Sequence, residues 1–299
     1  CGSPNESQCP VFPVKLHPML DLLLDANLRG YAVPSFCVWN ADMVETVLRT
    51  CERMRSPVIL MNGPGEFPLI SPAAIAGTVR GVGEQFDVHA AIHLDHGDSI
   101  EMVQECIDAG YTSVMLDYSE RPLDENAHAL QEVVAMARPL GITVEGEIGA
   151  VGKIDDITTE GGLESAMTDP EDAKRLVELT RIDTLAVSFG NAHGNYIKVP
   201  DFDFPRLEKI RALVKLPIVL HGGSGTPDAD IHRAISLGIA KVNVASALDR
   251  AIRESLLEQW NAGRNLWVAA AQAEAMKPVE TIVEQWIIRL KADGKGNGI

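Results

Sequence analysis

The chain has 299 residues, 46% of them hydrophobic, with a formal net charge of -16. That apolar content over that length builds a sizeable core and excludes gross disorder. So acidic a balance argues against nucleic acid or an anionic membrane as partner, since both require basic surfaces, and no apolar run approaches the roughly 18 residues of a membrane span.

Residues 1–15 open Cys1-Gly2-Ser3-Pro4-Asn5 and show neither a charged nor an apolar leader region. They are expected to be a processed or expression-added tail without function. Strand-like runs then recur at 31–37 (YAVPSFC), 57–62 (PVILMN), 88–94 (VHAAIHL), 112–117 (TSVMLD), 142–147 (ITVEGE), 183–189 (DTLAVSF), 216–221 (LPIVLH) and 239–244 (IAKVNV). Helical spacing falls between them, at 41–54, 98–109, 124–138, 171–180, 205–214 and 228–237. Short β-rich runs alternating with amphipathic helices read as βα units on a parallel sheet. Eight such runs, without a mononucleotide-type glycine loop after the first, predict a closed α/β barrel of the (β/α)8 TIM type rather than a doubly wound sheet.

Two segments stand outside this rhythm. Residues 150–168 (AVGKIDDITTEGGLESAMT) form a long polar stretch after the fifth strand, a length that usually marks function. Residues 246–290 hold two further helical patterns, the second from Val279 to Leu290, suited to covering the barrel or building a subunit interface. No linker or repeat divides the chain, so residues 16–299 are expected to be one domain. Five cysteines (Cys1, Cys9, Cys37, Cys51 and Cys106) lie scattered and odd in number, which predicts a reducing, cytoplasmic setting.

In such a barrel the active site gathers at the C-terminal ends of the strands. There the third strand places His93, Asp95 and His96, the fourth Asp117, and the fifth Glu145 and Glu147. The sixth runs into Gly190-Asn191-Ala192-His193-Gly194, the seventh ends at His221 and the eighth at Asn243. A single histidine at a strand end is usually a hydrogen-bonded structural residue. Three on different strands of a closed barrel converge, and three imidazoles with an open fourth position are the usual layout of a catalytic zinc site. His93 faces the side opposite Leu94 and is a candidate one step behind the ligands. Asp117 and Glu147 are either alternative ligands or orienting partners.

The glycine-rich turn His221-Gly222-Gly223-Ser224-Gly225-Thr226-Pro227 follows the seventh strand and precedes a helix. Successive glycines bring backbone N–H groups close to an anion, and a helix N-terminus favours it further. Lys241-Val242-Asn243-Val244-Ala245-Ser246 offers more donors in the loop after strand eight, where barrels often hold phosphate. Lys241 lies within that strand, without the setting of a Schiff-base lysine.

These motifs together, His93-Leu94-Asp95-His96-Gly97, Val144-Glu145-Gly146-Glu147-Ile148-Gly149, Gly190-Asn191-Ala192-His193-Gly194-Asn195-Tyr196, Leu220-His221-Gly222-Gly223-Ser224-Gly225 and Lys241-Val242-Asn243-Val244, resemble the successive motifs of class II, zinc-dependent ketose-bisphosphate aldolases, which include fructose- and tagatose-1,6-bisphosphate aldolases. The resemblance runs in order from about residue 18 to 265. It implies one Zn2+ on His96, His193 and His221, with Asp117 and Glu147 able to hold the metal in a second, buried arrangement. Asp95 becomes the proton donor to the aldehyde oxygen. Gly194, Gly222, Gly223, Ser224, Asn243, Val244, Ala245 and Ser246 line a dihydroxyacetone-phosphate site, with a monovalent cation (Na+ or K+) nearby. A further acid on the loop after strand five implies Asp155 or Asp156, with Glu160 behind them.

The chain departs from that pattern at Cys37, commonly Asn, and at Met61, often Ser, which removes hydrogen-bonding capacity from the pocket wall. Trp39 adds bulk, and Val38-Trp39-Asn40 is similar to members acting on less usual sugar phosphates, phosphorylated sugar acids among them. Arg250 and Arg253 are candidates for a distal anion or are ordinary surface arginines. The expectation is a homodimeric or homotetrameric lyase that cleaves a phosphorylated ketose reversibly to dihydroxyacetone phosphate and an aldehyde. Fructose 1,6-bisphosphate is the default substrate; tagatose 1,6-bisphosphate or another ketose or sugar-acid 1-phosphate is the alternative. The rivals are a metal-dependent barrel hydrolase and a non-catalytic binding protein.

Overall fold

The computed structural model describes residues 14–149, 167–191 and 202–299. Its barrel strands are β2 (Val33–Cys37), β3 (Val58–Asn62), β4 (His89–Gly97), β5 (Ser113–Leu116), β6 (Thr143–Ile148), β7 (Thr184–Val187), β8 (Ile218–Leu220) and β9 (Ile239–Val244). They pair in parallel in the order β4-β3-β2-β9-β8-β7-β6-β5, and a β4–β5 ladder closes the ring. This is the closed (β/α)8 barrel that the alternation of apolar pulses predicts. A short strand, β1 (Lys15–Leu16), pairs only with the start of β4, Lys15 opposite His89 and Leu16 opposite Ala90.

Most outer helices begin where a polar side chain accepts an orphan backbone N–H. Asn40 caps α2 (Ala41–Met54), Ser99 caps α4 (Ile100–Ala109), and Asp169 caps α6 (Pro170–Thr180). Asp203 does the same for α7 (Phe204–Leu213). The series continues with α5 (Leu123–Ala137) and α8 (Asp228–Ser236). Two helices lie outside the segments read as helical from the sequence. In α3 (Pro72–Gly83), cap Ser71 and Pro72 at the first position announce the start, but the Ala- and Gly-rich body shows little amphipathic contrast. The other, α1 (Met19–Arg29), lies across the starts of the strands. Its Leu20 N–H donates to Thr143 Oγ1 at the beginning of β6 (2.9 Å), and Met19, Leu22, Leu23 and Ala26 are fully buried.

At the C-terminus, α9 (Ser246–Asn261) packs against α10 (Val268–Arg289), which begins well before Val279. Pro278 sits inside α10 and hides its continuity from a sequence reading, because an internal proline ordinarily breaks a helix. Packing on α9 and α2 holds α10 together across it. No helix among the described residues is long and apolar enough to cross a membrane.

The barrel interior is polar. Lys241 on β9 meets Glu145 on β6 at 2.9 Å, and His93 on β4 at 3.1 Å. None of these strands are neighbours, so the contacts cross the lumen. The apolar core lies instead between the outward faces of the strands and the ring of helices.

Candidate active site

β4 continues three residues past its predicted end. Successive side chains on a regular strand point to opposite faces, so Asp95 and His96 could not both face the mouth. A register shift between Leu94 and Gly97, with His96 at φ 49°, changes that. A bulge of this kind re-aims side chains, and a left-handed non-glycine residue is a strain that persists where the surroundings impose it. Asp95 Oδ1 accepts a hydrogen bond from Asn243 Nδ2 (2.8 Å). His96 Nδ1 lies 2.6 Å from Asp117 Oδ2, while Asp117 Oδ1 accepts from Ser119 N (3.1 Å) and Ser119 Oγ (2.7 Å). Gly63, just beyond β3, makes room for the bulge: a Cβ there would stand 2.1 Å from the Asp95 carbonyl oxygen.

Opposite them stand Glu145 and Glu147 of β6 and His221 at the end of β8. His221 Nε2 is 2.9 Å from Glu145 Oε1, and its Nδ1 is 3.1 Å from Glu147 Oε2. The His96 and His221 rings meet edge-on at 4.6 Å between centroids. Two sets of ligand-type atoms lie within 4.8 Å of one another: Asp95, His96 and His221, and His96, Asp117 and Glu147. His96 belongs to both. Glu147 Oε2 is buried, 3.1 Å from His221 Nδ1, and has no well-aligned donor among the described residues. Imidazole nitrogens and carboxylate oxygens gathered in two sets that share His96 fit a divalent cation with N/O ligands.

The electrostatics point the same way. Burial opposes the imidazolium of His221, but Glu145 and Glu147 outweigh it and raise the group to about 10. His96 is also raised, since Asp95 and Asp117 overcome its burial. Burial pushes the Asp95 carboxyl up, yet His96 and His221 bring it down to about 2. Asp117, against its burial, is held well below the usual carboxylate range by its hydrogen bond to His96. Such mutual demand between carboxylates and imidazoles marks functional sites. His93 is not part of the mouth. It is fully buried and lowered to about 3, by burial first and the Lys241 ammonium second.

Beside this cluster run the two glycine- and amide-rich loops. Gly222 takes φ 72°, and Gly223–Gly225 makes one 3-10 turn. A Cβ on Gly223 would meet Val242 Cγ1 at 2.4 Å and the Asn243 carbonyl at 3.1 Å, so only glycine lets the loops press together. Ser224 is half-buried next to them. On the second loop Asn243 and Val244 are buried, Ala245 precedes the helix, and Ser246 opens α9. The site residues brought together are thus Asp95, His96, Asp117, Glu147 and His221, with Gly222, Gly223, Ser224, Asn243, Val244, Ala245 and Ser246 alongside. His193, Gly194, Asp155, Asp156 and Glu160 lie outside the described residues.

Arg250 and Arg253 sit exposed on α9, and Arg250 faces Glu254 at 3.8 Å. Met61 accepts a hydrogen bond from Ser35 Oγ at 3.0 Å. Sequence reasoning passed over two residues. Glu66 Oε2 accepts the Gly63 N–H (2.9 Å), and burial raises its pKa, with Asp95 adding to this and the hydrogen bonds from Gly63 and Cys37 opposing it. A glutamate in Gly63-Pro64-Gly65-Glu66, directly after a strand end, was the available signal. Asn191 is buried and ties β7 to β8, donating through Nδ2 to the carbonyls of His221 (3.1 Å) and Val187 (3.3 Å). No local pattern announces that link.

Comparison with known proteins places the chain. The family model of class-II fructose-bisphosphate aldolase matches residues 17–295. Among solved structures, the YdjI aldolase of Escherichia coli K12 is similar over 94% of this chain and 100% of its own, with 33% identity and a TM-score of 0.83. A protein from Coccidioides immitis assigned as a fructose-1,6-bisphosphate aldolase covers 94% and 98%, with 28% identity and a TM-score of 0.84. The fructose-bisphosphate aldolase of Campylobacter jejuni shares the fold at 21% identity, covering 95% and 98%, with a TM-score of 0.79. The chain belongs to the class-II fructose-bisphosphate aldolase family.

Proposed function

We propose that this protein is a zinc-dependent aldehyde-lyase that cleaves a phosphorylated ketose reversibly to dihydroxyacetone phosphate and an aldehyde. The observation that carries the reading is two overlapping sets of facing ligand atoms, Asp95 and His221 in one, Asp117 and Glu147 in the other, with His96 shared by both. His96 and His221, with His193 as third ligand, hold the Zn2+, and Asp117 and Glu147 supply its second position. The metal, when bound, supplies Lewis acidity toward a ketone oxygen. Asn243 occupies Asp95 Oδ1, which leaves Oδ2 as the base that takes the C4 hydroxyl proton in cleavage and returns it in condensation. Asp155 or Asp156 manages the proton at C3. Gly194, the 222–224 turn and residues 243–246 seat the phosphate on backbone N–H groups, with a Na+ or K+ offsetting the acidic surroundings.

Fructose 1,6-bisphosphate is the first substrate to test, tagatose 1,6-bisphosphate the second, and another ketose or sugar-acid 1-phosphate the third. Cys37 and Met61 leave the wall poor in hydrogen-bonding groups, which favours a departure from the commonest sugar. The α9–α10 turn exposes Trp260 (42%) and Trp267 (77%), which supports assembly into a homodimer or homotetramer. A cytoplasmic site of action fits the buried free thiols of Cys37, Cys51 and Cys106.

A coupled assay for dihydroxyacetone phosphate over a panel of ketose phosphates, with and without chelator, tests the reading. Turnover that needs metal and releases dihydroxyacetone phosphate supports it; phosphate release without C–C cleavage would favour the hydrolase. Ligand binding by metal-free protein with no turnover would favour the binding protein. Asp95→Ala is expected to abolish turnover and keep zinc; loss of zinc instead would make Asp95 a structural residue of the site.

A further inference from the structure

Directly beneath the mouth, Lys241 is buried without exposure in the lumen, an expensive place for an ammonium. Its hydrogen bonds go to Glu145 Oε1 (3.1 Å), Glu145 Oε2 (2.9 Å) and His93 Nε2 (3.1 Å). An ammonium only donates, so His93 accepts through Nε2 and turns its Nδ1–H to Ser113 Oγ, 2.8 Å away. Glu145, paired with the ammonium, is a carboxylate and only accepts, so the 2.9 Å contact from His221 Nε2 is an N–H donation. Thr184 Oγ1 adds a longer contact to Glu145 Oε2 (3.4 Å). Donor and acceptor roles are therefore settled along the whole chain from Ser113 to His221, across five barrel strands.

We infer that Lys241 and Glu145 are positioning residues that set the metal affinity of the site through His221. Their pairing commits Nε2 of His221 to a proton and a fixed direction, which leaves Nδ1, on the side of Glu147 and His96, as the nitrogen for the metal. It also separates two chemically equal carboxylates on one strand. Glu145 is held below by the lysine, and Glu147, two residues on and facing the same side, remains for the ion. An outer partner that fixes the tautomer and orientation of a ligating histidine typically governs affinity by about 10–100-fold. This inference rests on the metal-dependent reading of the site.

Removing either charge alone leaves its partner buried and unpaired, and such a chain can fail to fold. The test therefore uses the full-length Lys241→Met/Glu145→Leu double variant, which buries no charge, beside Lys241→Met/Glu145→Gln, which restores an acceptor for His221. Zinc affinity by competition with a chromophoric chelator, and the absorption bands of the cobalt-substituted protein, are the readouts. The Met/Leu variant is expected to bind zinc about 10–100-fold more weakly, with altered cobalt bands and metal-free melting close to wild type; Met/Gln is expected to recover part of the affinity. Wild-type zinc affinity and cobalt bands in a folded Met/Leu variant would overturn the inference alone. A wild type that takes up neither ion would remove the metal-site reading and this inference with it. Independently of any variant, 15N NMR of zinc-loaded wild type is expected to show His221 protonated at Nε2; the opposite tautomer overturns the inference.

Discussion

At the floor of the barrel, α1 lays Met19, Leu22, Leu23 and Ala26 against the strand starts, all of them fully buried and apolar. At the mouth, the far ends of the same strands carry Asp95, His96, Asp117, Glu147 and His221. The floor has irregularities of its own, a register shift between Ile218 and Val219 and left-handed helix ends at Arg55 (φ 51°) and Arg181 (φ 56°), and α1 closes on Gly30 at φ 69°, a conformation that suits glycine. The mouth places a histidine at φ 49° and breaks a ladder to aim two neighbours one way. A barrel that is apolar against α1 at one end and lined with ionisable groups at the other separates stability from chemistry, and that separation can be broken by mutation.

The largest expected effect is at the mouth. Asp95→Asn keeps the shape and the contact with Asn243 but cannot exchange a proton, so kcat should fall by about 10²–10⁴-fold. Metal-free melting should stay close to wild type, because the amide keeps the volume of Asp95 and an acceptor for Asn243. A parallel fall in melting temperature would mean that the mouth also carries stability. Next comes the floor: Leu23→Ala should cost about 2–5 kcal/mol in denaturant unfolding. Here kcat per folded molecule should hold, and a drop in it would show that the two ends are coupled.

Gly63→Ala tests the boundary between the two. Its Cβ would stand 2.1 Å from the Asp95 carbonyl, so β3 and the bulge must move apart. Overpacking of this kind costs about 1–3 kcal/mol, and displacement of Asp95 by a fraction of an ångström should lower kcat as well, toward the roughly 10²-fold that a 1 Å misplacement causes. Unchanged kcat with lowered stability would show that the bulge holds Asp95 without help from Gly63.

The strands were legible because each is a short β-rich pulse, and their ends exposed the ionisable groups that an apolar pulse would otherwise exclude. His96, His221, Asp117 and Glu147 were readable for that reason, and their roles came from the order of the motifs. The bulge was not readable, since nothing in Leu94-Asp95-His96-Gly97 says which of the four residues leaves the ladder. The Lys241–Glu145 pair was hidden for a different reason: its partners are 96 positions apart and meet only when the ring closes. Lys241 therefore read as a lysine without purpose. Helix α1 was missed because its role, closing the floor, belongs to the whole barrel and to no local pattern.

The smallest expected effect belongs to the floor. His89 Nδ1 and His17 Nε2 lie 2.8 Å apart, their rings stacked at 4.8 Å, beside the ion pair of Lys15 on β1 with Asp87 just before β4. One nitrogen must donate and the other accept, so the contact requires that at least one ring be neutral. Burial lowers both groups; Lys15 adds to this at each, Asp21 opposes it at His17, and Asp87 opposes it at His89. With folded values below the unfolded one, near 6.5, the unfolded chain binds more protons, so the pair's contribution is full above that pH and fades as pH falls through the folded values. A half-exposed hydrogen bond contributes about 0.5 kcal/mol. His17→Gln, which can still bond His89 but does not titrate, should match wild type at pH 8 and lose less melting temperature between pH 7 and pH 5. Taking the difference between the two proteins cancels the opposite slope expected from His96 and His221 at the mouth, where the values are raised. Equal slopes for the two proteins would mean that the floor carries no acid-sensitive contact and that the pH response of the fold belongs to the mouth alone.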